Sequence, residues 1–153
     1  MDEIVWAVNP RHDTLDSLMN YLVKLAQDHL GVAGIQCRLD VPAHLPALPL
    51  MSETRYNLFL AVKEALHNVI KHAQASEVWL RLQLDPRRLT LLIEDNGRGF
   101  TEHDTPTGQG EGSRPSPGQG LENMRKRLSS IGGRCAVISA PGQGTRIELT
   151  VEL

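Results

Sequence analysis

The hydrophobic positions of the chain follow two different periods along its length. In three stretches, apolar residues recur at steps of three and four, which is the spacing of a helix that buries one face. Asp13 or Thr14 is expected to cap the first helix and Ser52 the second, while Gly31 and Gly132 are expected to end the first and the third. The predicted helices cover 15–30, 52–72 and 121–131.

Elsewhere apolar and polar residues alternate, which predicts strands with one buried face. The predicted strands cover 35–41, 77–84, 88–95, 134–140 and 145–153. Short turns join the second to the third and the fourth to the fifth, so both pairs are predicted to be hairpins. Three main helices mixed with five strands predict an α/β (α+β) two-layer sandwich, in which one mixed sheet carries the helices on one face.

Two segments lack such a pattern. Residues 1–12 have a short apolar spacing that ends at Pro10, as expected for the tail of an upstream helix or linker. Between Gly97 and Gly120, glycine, proline, serine and threonine dominate, which predicts a long loop that is either functional or disordered. The rest of the chain, 13–153, is predicted to form one domain.

Composition excludes several classes of protein. The chain has 153 residues, of which 41% are hydrophobic and 22% charged. This length and hydrophobic fraction are sufficient to form a core without disulfides or metals. A net charge of −2 and 4% aromatic residues argue against nucleic-acid binding, and the apolar runs are far shorter than the roughly 20 residues that span a bilayer. The chain lacks a signal-peptide pattern, and Cys37 and Cys135 are expected to be reduced thiols on strands, so a cytoplasmic protein is predicted.

Candidate chemistry begins on the second predicted helix. At about 100° per residue, Glu64, Asn68 and Lys71 fall on one stripe, with His72 beside it. The stripe is either a solvated helix face or a site. As a site, Asn68 offers a neutral oxygen to Mg²⁺, and Lys71 or His72 offers positive charge to phosphate. Glu64 is able to orient or deprotonate a water or hydroxyl.

A second candidate follows the third predicted strand. Asp95 ends that apolar strand and precedes two glycines, Gly97 and Gly99. The segment is either an ordinary glycine turn or a purine site, because a carboxylate beside a closely approaching backbone accepts the exocyclic amine of adenine. Guanine presents a carbonyl at that position, so such a site would prefer adenine.

Two further glycine segments border predicted elements. Residues 118–121 lead from the long loop into the third helix, where free backbone N–H groups bind phosphate. Residues 142–145 form either a plain hairpin turn or a turn whose Thr145 bonds the base directly or through water. The other common phosphate-binding glycine patterns do not occur in the sequence.

Two basic runs carry weaker signals. The run 125–127 on the third helix is expected to be a solvated face, with contact to a phosphate or an acidic partner as the alternative. Arg87 and Arg88 belong to a predicted turn, and no specific role is predicted for them.

Together, four of these segments resemble the ATP-binding domain of the Bergerat fold, shared by gyrase-type ATPases, heat-shock chaperones, histidine kinases and mismatch-repair ATPases. They are most similar to the catalytic domain of a sensor histidine kinase, of the class that pairs with helix-turn-helix response regulators. The resemblance covers nearly all of 14–153. The matching segments are the N box at 64–73 and three glycine boxes at 95–100, 118–127 and 142–145.

The resemblance implies ATP and Mg²⁺ as ligands, with Asn68 holding the metal and Asp95 binding adenine. Glu64 corresponds to the general base of hydrolysing relatives and to a positioning group in kinases, and 101–117 corresponds to the ATP lid. The implied catalytic residues are Glu64, Asn68 and Lys71. The implied nucleotide-binding residues are Asn68, Lys71, His72, Asp95, Gly97, Gly99, Gly118, Gly120, Leu121 and Thr145.

By the same resemblance, the domain transfers the γ-phosphate of ATP to a histidine on a dimerisation domain, from which a response regulator receives it. None of the six histidines stands in the phosphoacceptor context, and 1–12 resembles only the end of the dimerisation helices, so isolated autokinase activity is not expected. Neither nucleic acid nor a membrane is an expected partner of this domain, and the full-length kinase is either cytoplasmic or anchored by another segment. The alternatives are an anti-sigma-factor-type serine kinase or binding module, and an ATP sensor without transfer chemistry.

Overall fold

The computed structural model describes residues 14–46, 48–98 and 117–152, and for 72, 73 and 117–121 the backbone only. The predicted segment 1–12, Gly99 and the predicted lid up to residue 116 lie outside these ranges. The described helices and strands are α1 (Leu15–Val32), β1 (Gln36–Asp40), α2 (Ser52–Asn68), β2 (Glu77–Asp85), β3 (Arg88–Asp95), α3 (Pro117–Ser130), β4 (Arg134–Ser139) and β5 (Thr145–Glu152).

The strands form a single sheet in the order β1-β2-β3-β5-β4. β1 runs parallel to β2 and the other neighbours are antiparallel, so the mixed sheet and both predicted hairpins are confirmed. At the centre, Ile93 pairs with Leu80 on one side and Ile147 on the other. All three side chains are buried, so this face of the sheet lies against the core.

The helices pack on that same face and close the core. Each contributes fully buried leucines, such as Leu22 of α1, Leu58 of α2 and Leu128 of α3. α1 and α2 also meet through the rings of Tyr21 and Phe59, whose centroids are 5.5 Å apart. Each such leucine or phenylalanine stabilises the fold by roughly 1.5–3 kcal/mol, so burial of one face explains the predicted two-layer sandwich. Within the described ranges, no helix is both long and apolar enough to cross a bilayer.

The helix ends differ from the prediction. α1 runs past Gly31, because the left-handed residue that follows its end is Gly34, at φ +75°. Thr14 occupies the N-cap position of α1 and Ser52 is the first residue of α2, but neither makes a capping side-chain hydrogen bond. α3 begins at Pro117, earlier than predicted, since the fixed backbone angle of proline suits the first helical turn.

The second helix also departs from its predicted course. After Asn68 the chain widens into a π-helical turn, Val69–Ala73, and so changes the angle between successive side chains. Ile70 is consequently 37% exposed. The expected burial of one strand face fails in β1, where Cys37 is partly buried but Leu39 is 41% exposed, because β1 lies at the edge of the sheet.

Candidate functional site

Asp95 lies at the end of β3, where the apolar strand leaves the core. Its side chain points to the core face and is only 8% exposed. It pairs in register with Thr145, the first residue of β5, which is equally buried. The Thr145 hydroxyl lies 2.9 Å from the hydroxyl of Ser139 at the end of β4. Three strands therefore converge on one small polar site at this end of the sheet.

The Asp95 carboxylate is partly satisfied by the backbone around it. The N–H of Gly97 donates a hydrogen bond of 2.8 Å to its Oδ1 atom. Burial raises the pKa of Asp95, and the backbone N–H groups of Gly97 and Thr145 oppose that rise without cancelling it. A buried carboxylate with remaining lone pairs is suited to accept a hydrogen bond from a neutral amine.

The third glycine segment packs backbone against backbone onto the turn that follows Asp95. Gly144 has φ +78°, and a Cβ atom there would overlap the carbonyl oxygen of Asp95 and lie 3.3 Å from Cα of Asn96. The N–H of Gly142 donates to the carbonyl oxygen of Arg98 at 2.5 Å. Sequence reasoning treated 142–145 as a hairpin or a base contact and missed this support, although the paired glycines were the available signal.

Asn96 holds the same turn from the other side. Its Oδ1 accepts hydrogen bonds from the N–H groups of Ser76 and Glu77, at 2.9 and 3.0 Å. Its Nδ2 donates to the Ser76 hydroxyl at 2.9 Å, and its own backbone N–H donates to the carbonyl of Glu77. Ser76 follows the π-helical turn closely, so Asn96 links the Asp95 turn to the segment that leaves the N box. No sequence pattern identified this role.

The polar stripe of the N box keeps only part of its predicted geometry. Glu64 and Asn68 lie one turn apart on α2, and both are half-buried. Lys71 is exposed in the π-helical turn, which also contains the backbone of His72. Gln74, which has a left-handed φ of +53°, follows that turn. The change of helix type therefore separates Lys71 from the regular α-helical stripe predicted for it.

Asn68 has an unusual environment for a carboxamide. Its Nδ2 atom is buried, and none of the described residues accepts a hydrogen bond from it. An unsatisfied buried amide costs about 1–3 kcal/mol, so a ligand that accepts a hydrogen bond from this nitrogen would recover part of that cost. In the described part of the chain, no three acidic, histidine or cysteine side chains cluster as metal ligands. The carboxamide oxygen of Asn68 is a neutral oxygen of the kind that Mg²⁺ accepts as a ligand.

The start of α3 supplies backbone donors near the second glycine box. Gly118 and Gly120 lie within the first helical turn, where N–H groups have no partner inside the helix. Leu121 lies one residue further on, where the regular α-helical bond to residue 117 occupies its N–H. The earlier helix start thus favours the two glycines over Leu121 as anion-binding donors.

Residues 54–153 match the protein family described as "Histidine kinase-, DNA gyrase B-, and HSP90-like ATPase". The chain belongs to this ATPase family. Its relatives include the sensor histidine kinase LiaS of Bacillus subtilis, 38% identical over 63% of this chain and 24% of LiaS. The histidine-protein kinase/phosphatase UhpB of Salmonella typhimurium is 35% identical over 83% of this chain and 23% of UhpB.

A solved structure supports the same fold for the ATPase domain. The histidine kinase domain of the blue-light activated kinase of Erythrobacter litoralis has a TM-score of 0.70, with 21% identity over 99% of this chain and 69% of that one. The resemblance to the ATPase domain of sensor histidine kinases is therefore confirmed, and nothing in these comparisons favours the anti-sigma-type alternative. The chain spans only about a quarter of the length of LiaS and UhpB.

Proposed function

We propose that this chain is the cytoplasmic ATP-binding domain of a sensor histidine kinase and transfers the γ-phosphate of ATP to a histidine of a dimerisation domain. A response regulator then receives the phosphate. The observation that carries the proposal is the buried carboxylate of Asp95 in a chain of the ATPase family. That carboxylate accepts a hydrogen bond from the N–H of Gly97, and the backbone of Asp95 packs against Gly144.

The adenine end of the nucleotide would bind where β3 meets β5. Asp95 accepts the exocyclic amine of adenine, and the neighbouring Thr145 hydroxyl bonds the ring directly or through water. Gly97 and Gly99 allow the backbone to approach the base closely. Guanine would set its carbonyl oxygen against the carboxylate, so this pocket discriminates against GTP by leaving two acceptors unpaired.

The triphosphate would lie between the end of α2 and the start of α3. Bound Mg²⁺ supplies charge neutralisation for the phosphates, and Asn68 holds it through the carboxamide oxygen while Nδ2 gains a partner in a phosphate or water. Lys71 and His72 contribute positive charge, and the first-turn N–H groups at Gly118 and Gly120 supply dipoles. Glu64, one turn before Asn68, orients the attacking imidazole rather than water.

A phosphoacceptor domain has to meet this site from another part of the protein. By the resemblance to sensor histidine kinases, the phosphoacceptor histidine lies on a dimerisation domain and not within 14–153. We therefore expect the reaction to need a dimerisation domain supplied in trans, and a response regulator to accept the phosphate from that domain.

Calorimetric titration with ATP, ADP and GTP, with and without Mg²⁺, tests the nucleotide site. We expect ATP to bind in a Mg²⁺-dependent manner and GTP to bind at least tenfold more weakly. Asn68→Ala should lose the Mg²⁺ dependence. Asn57→Ala is the matched control, because Asn57 lies on the same helix and its Nδ2 already donates to the carbonyl of Glu53.

Phosphotransfer is measured separately with γ-labelled ATP and a dimerisation domain of a related sensor kinase. Acid-labile label on that domain supports the kinase assignment. Tight ATP binding without label transfer to any such domain would contradict the kinase assignment and support the alternative of an ATP sensor. A folded chain that binds no adenine nucleotide would refute the proposed nucleotide site.

A further inference from the structure

A row of three polar side chains crosses the sheet at the end where Asp95 lies. Thr145 of β5 is in register with Asp95 of β3 on one side and with Ser139 of β4 on the other. Directly paired residues point to the same face of a sheet, so the carboxylate and the two hydroxyls stand side by side. Asp95 and Thr145 are buried and Ser139 is half-buried. The residues proposed to contact adenine therefore have a third polar neighbour, Ser139.

The hydroxyl of Ser139 has two close partners, and one of them fixes the position of its proton. It donates a hydrogen bond of 3.1 Å to the carbonyl oxygen of Gly144, which is able only to accept. It also lies 2.9 Å from the hydroxyl of Thr145. A serine hydroxyl carries one proton and two lone pairs. Because the Gly144 carbonyl takes that proton, the Thr145 hydroxyl is the donor in the contact between the two side chains.

The direction of this hydrogen bond decides what Thr145 offers to a ligand. The proton of its hydroxyl is committed to Ser139, so the threonine oxygen keeps only lone pairs for a bound base. The backbone N–H of Thr145 is also occupied, since it donates to the carboxylate of Asp95. Asp95 and Thr145 therefore present two hydrogen-bond acceptors side by side.

We propose that Ser139 is a positioning residue, which sets the donor direction of the Thr145 hydroxyl and thereby the preference of the pocket for an amine over a carbonyl. This inference rests on the proposed nucleotide site. The exocyclic amine of adenine has two N–H groups, which suit two adjacent acceptors directly or through one water. A carbonyl at the same position, as in guanine or hypoxanthine, faces lone pairs from both Asp95 and Thr145. Ser139 acts on the base through Thr145.

The bond to Gly144 gives Ser139 a second route of influence on the pocket. Gly144 packs against the backbone of Asp95, so a change at Ser139 also acts on the turn that carries the carboxylate. An effect by this route weakens the binding of every purine nucleotide alike, and it persists when the Thr145 hydroxyl is absent. An effect through Thr145 changes the ratio of the affinities for an amine and a carbonyl, and it disappears with that hydroxyl.

Calorimetric titration of the whole chain with MgATP, and with inosine triphosphate in competition, tests this inference. In Ser139→Ala the proton of Thr145 is released to turn toward the base, where it opposes the amine of ATP and bonds the carbonyl of inosine triphosphate. We expect ATP to bind about threefold to tenfold more weakly, and the ratio of ATP to inosine triphosphate affinity to fall by at least about threefold. Ser139→Thr keeps the hydroxyl and should restore both values.

Ser130→Ala is the matched control. The hydroxyl of Ser130 also donates to a backbone carbonyl, that of Arg127, but it lies at the far end of α3 from the glycine box. This variant should change the affinity for either nucleotide less than about twofold.

A double-mutant cycle with Thr145→Val shows whether Ser139 acts through Thr145. In that background Ser139→Ala should change the affinity for ATP less than about twofold, because the hydroxyl that Ser139 positions is absent. If inosine triphosphate does not compete at all, this cycle with ATP decides the outcome. Melting temperatures check that each variant is folded, and Ser139→Cys replaces Ser139→Ala under the same criteria if the alanine variant is unfolded.

Four results would overturn the inference and leave the nucleotide site intact. They are an unchanged ATP affinity in Ser139→Ala, an equal weakening of both nucleotides, an equal loss of ATP affinity in the Thr145→Val background, and a rise in the ratio of ATP to inosine triphosphate affinity. The last would mean that the Thr145 hydroxyl donates into the pocket. A folded, unaltered chain that binds no adenine nucleotide would instead refute the proposed site, and this inference with it.

Discussion

The carbonyl oxygen of Asp95 occupies the space that a side chain at Gly144 would need. The two residues are far apart in sequence, yet the pairing of β3 with β5 brings the third glycine box against the first. Asn96 secures the other side of the same turn to Ser76. The turn that carries Asp95 is therefore held on both sides, by backbone packing against Gly144 and by the side chain of Asn96, so the position of the carboxylate proposed to select adenine depends on both residues.

Replacing Gly144 by alanine should damage both stability and nucleotide binding. The left-handed backbone costs alanine about 1–2 kcal/mol, and relief of the clash with Asp95 adds roughly 1–3 kcal/mol. Gly142→Ala is a close control, because Gly142 has φ +77° but open space around its Cβ position. Urea unfolding should show a distinctly larger loss at Gly144, and equal losses would mean that the contact with Asp95 carries no energy.

Asp95→Asn should separate stability from function. Burial raises the pKa of Asp95 in the folded state, so the folded protein holds more protons than the unfolded one between about pH 3.9 and the raised value. The contribution of Asp95 to the free energy of unfolding therefore falls as pH rises through that window. Asparagine does not ionise, so the variant lacks this loss of stability. We expect the melting temperature of Asp95→Asn, measured relative to that of the unaltered protein, to increase as pH rises from 3.5 to 7.

At pH 7.5 the same variant should bind ATP at least tenfold more weakly, since the charged acceptor for the amine is lost. A constant difference in melting temperature across the pH range would contradict the burial of the Asp95 charge. An unchanged affinity for ATP would remove Asp95 from the proposed pocket.

Asn96→Ala should loosen the turn that carries Asp95. The substitution removes three side-chain hydrogen bonds to Ser76 and Glu77, and we expect a loss of about 1–3 kcal/mol in urea unfolding together with weaker ATP binding. Asn96→Asp keeps the acceptor for both N–H groups, while the Ser76 hydroxyl is free to rotate and donate. The aspartate variant should therefore retain most of the stability. Equal losses in urea unfolding for the two variants would argue against a stabilising role for these hydrogen bonds.

Cys135 should react slowly with thiol reagents despite lying next to an arginine. Burial raises its pKa to about 11, and the positive charge of Arg125 offsets only part of the rise. In a Cys37→Ser background, alkylation by iodoacetamide at pH 8 should be roughly a hundredfold slower than for a free cysteine, because little thiolate is present. A rate equal to that of free cysteine would show that the thiol is not buried.

Much of the fold is determined by the sequence alone, because local periodicity records which face of each element is buried. The alternation at 77–95 predicts the hairpin of β2 and β3, and the helical spacing after Thr14 predicts α1. The glycine boxes likewise point to the ATPase family without any coordinates, since their residue types follow from backbone conformation and from the chemistry of phosphate and adenine.

Other features depend on contacts between residues distant in the chain, which periodicity does not specify. The strand order sets Gly144 against Asp95 and brings Asn96 to Ser76, and the π-helical turn changes the direction of Lys71. The same strand order sets Thr145 between Asp95 and Ser139. The sequence thus determines the elements and their chemistry, but only tertiary packing determines which of these groups become neighbours, because that depends on strand order, register and the local width of a helix.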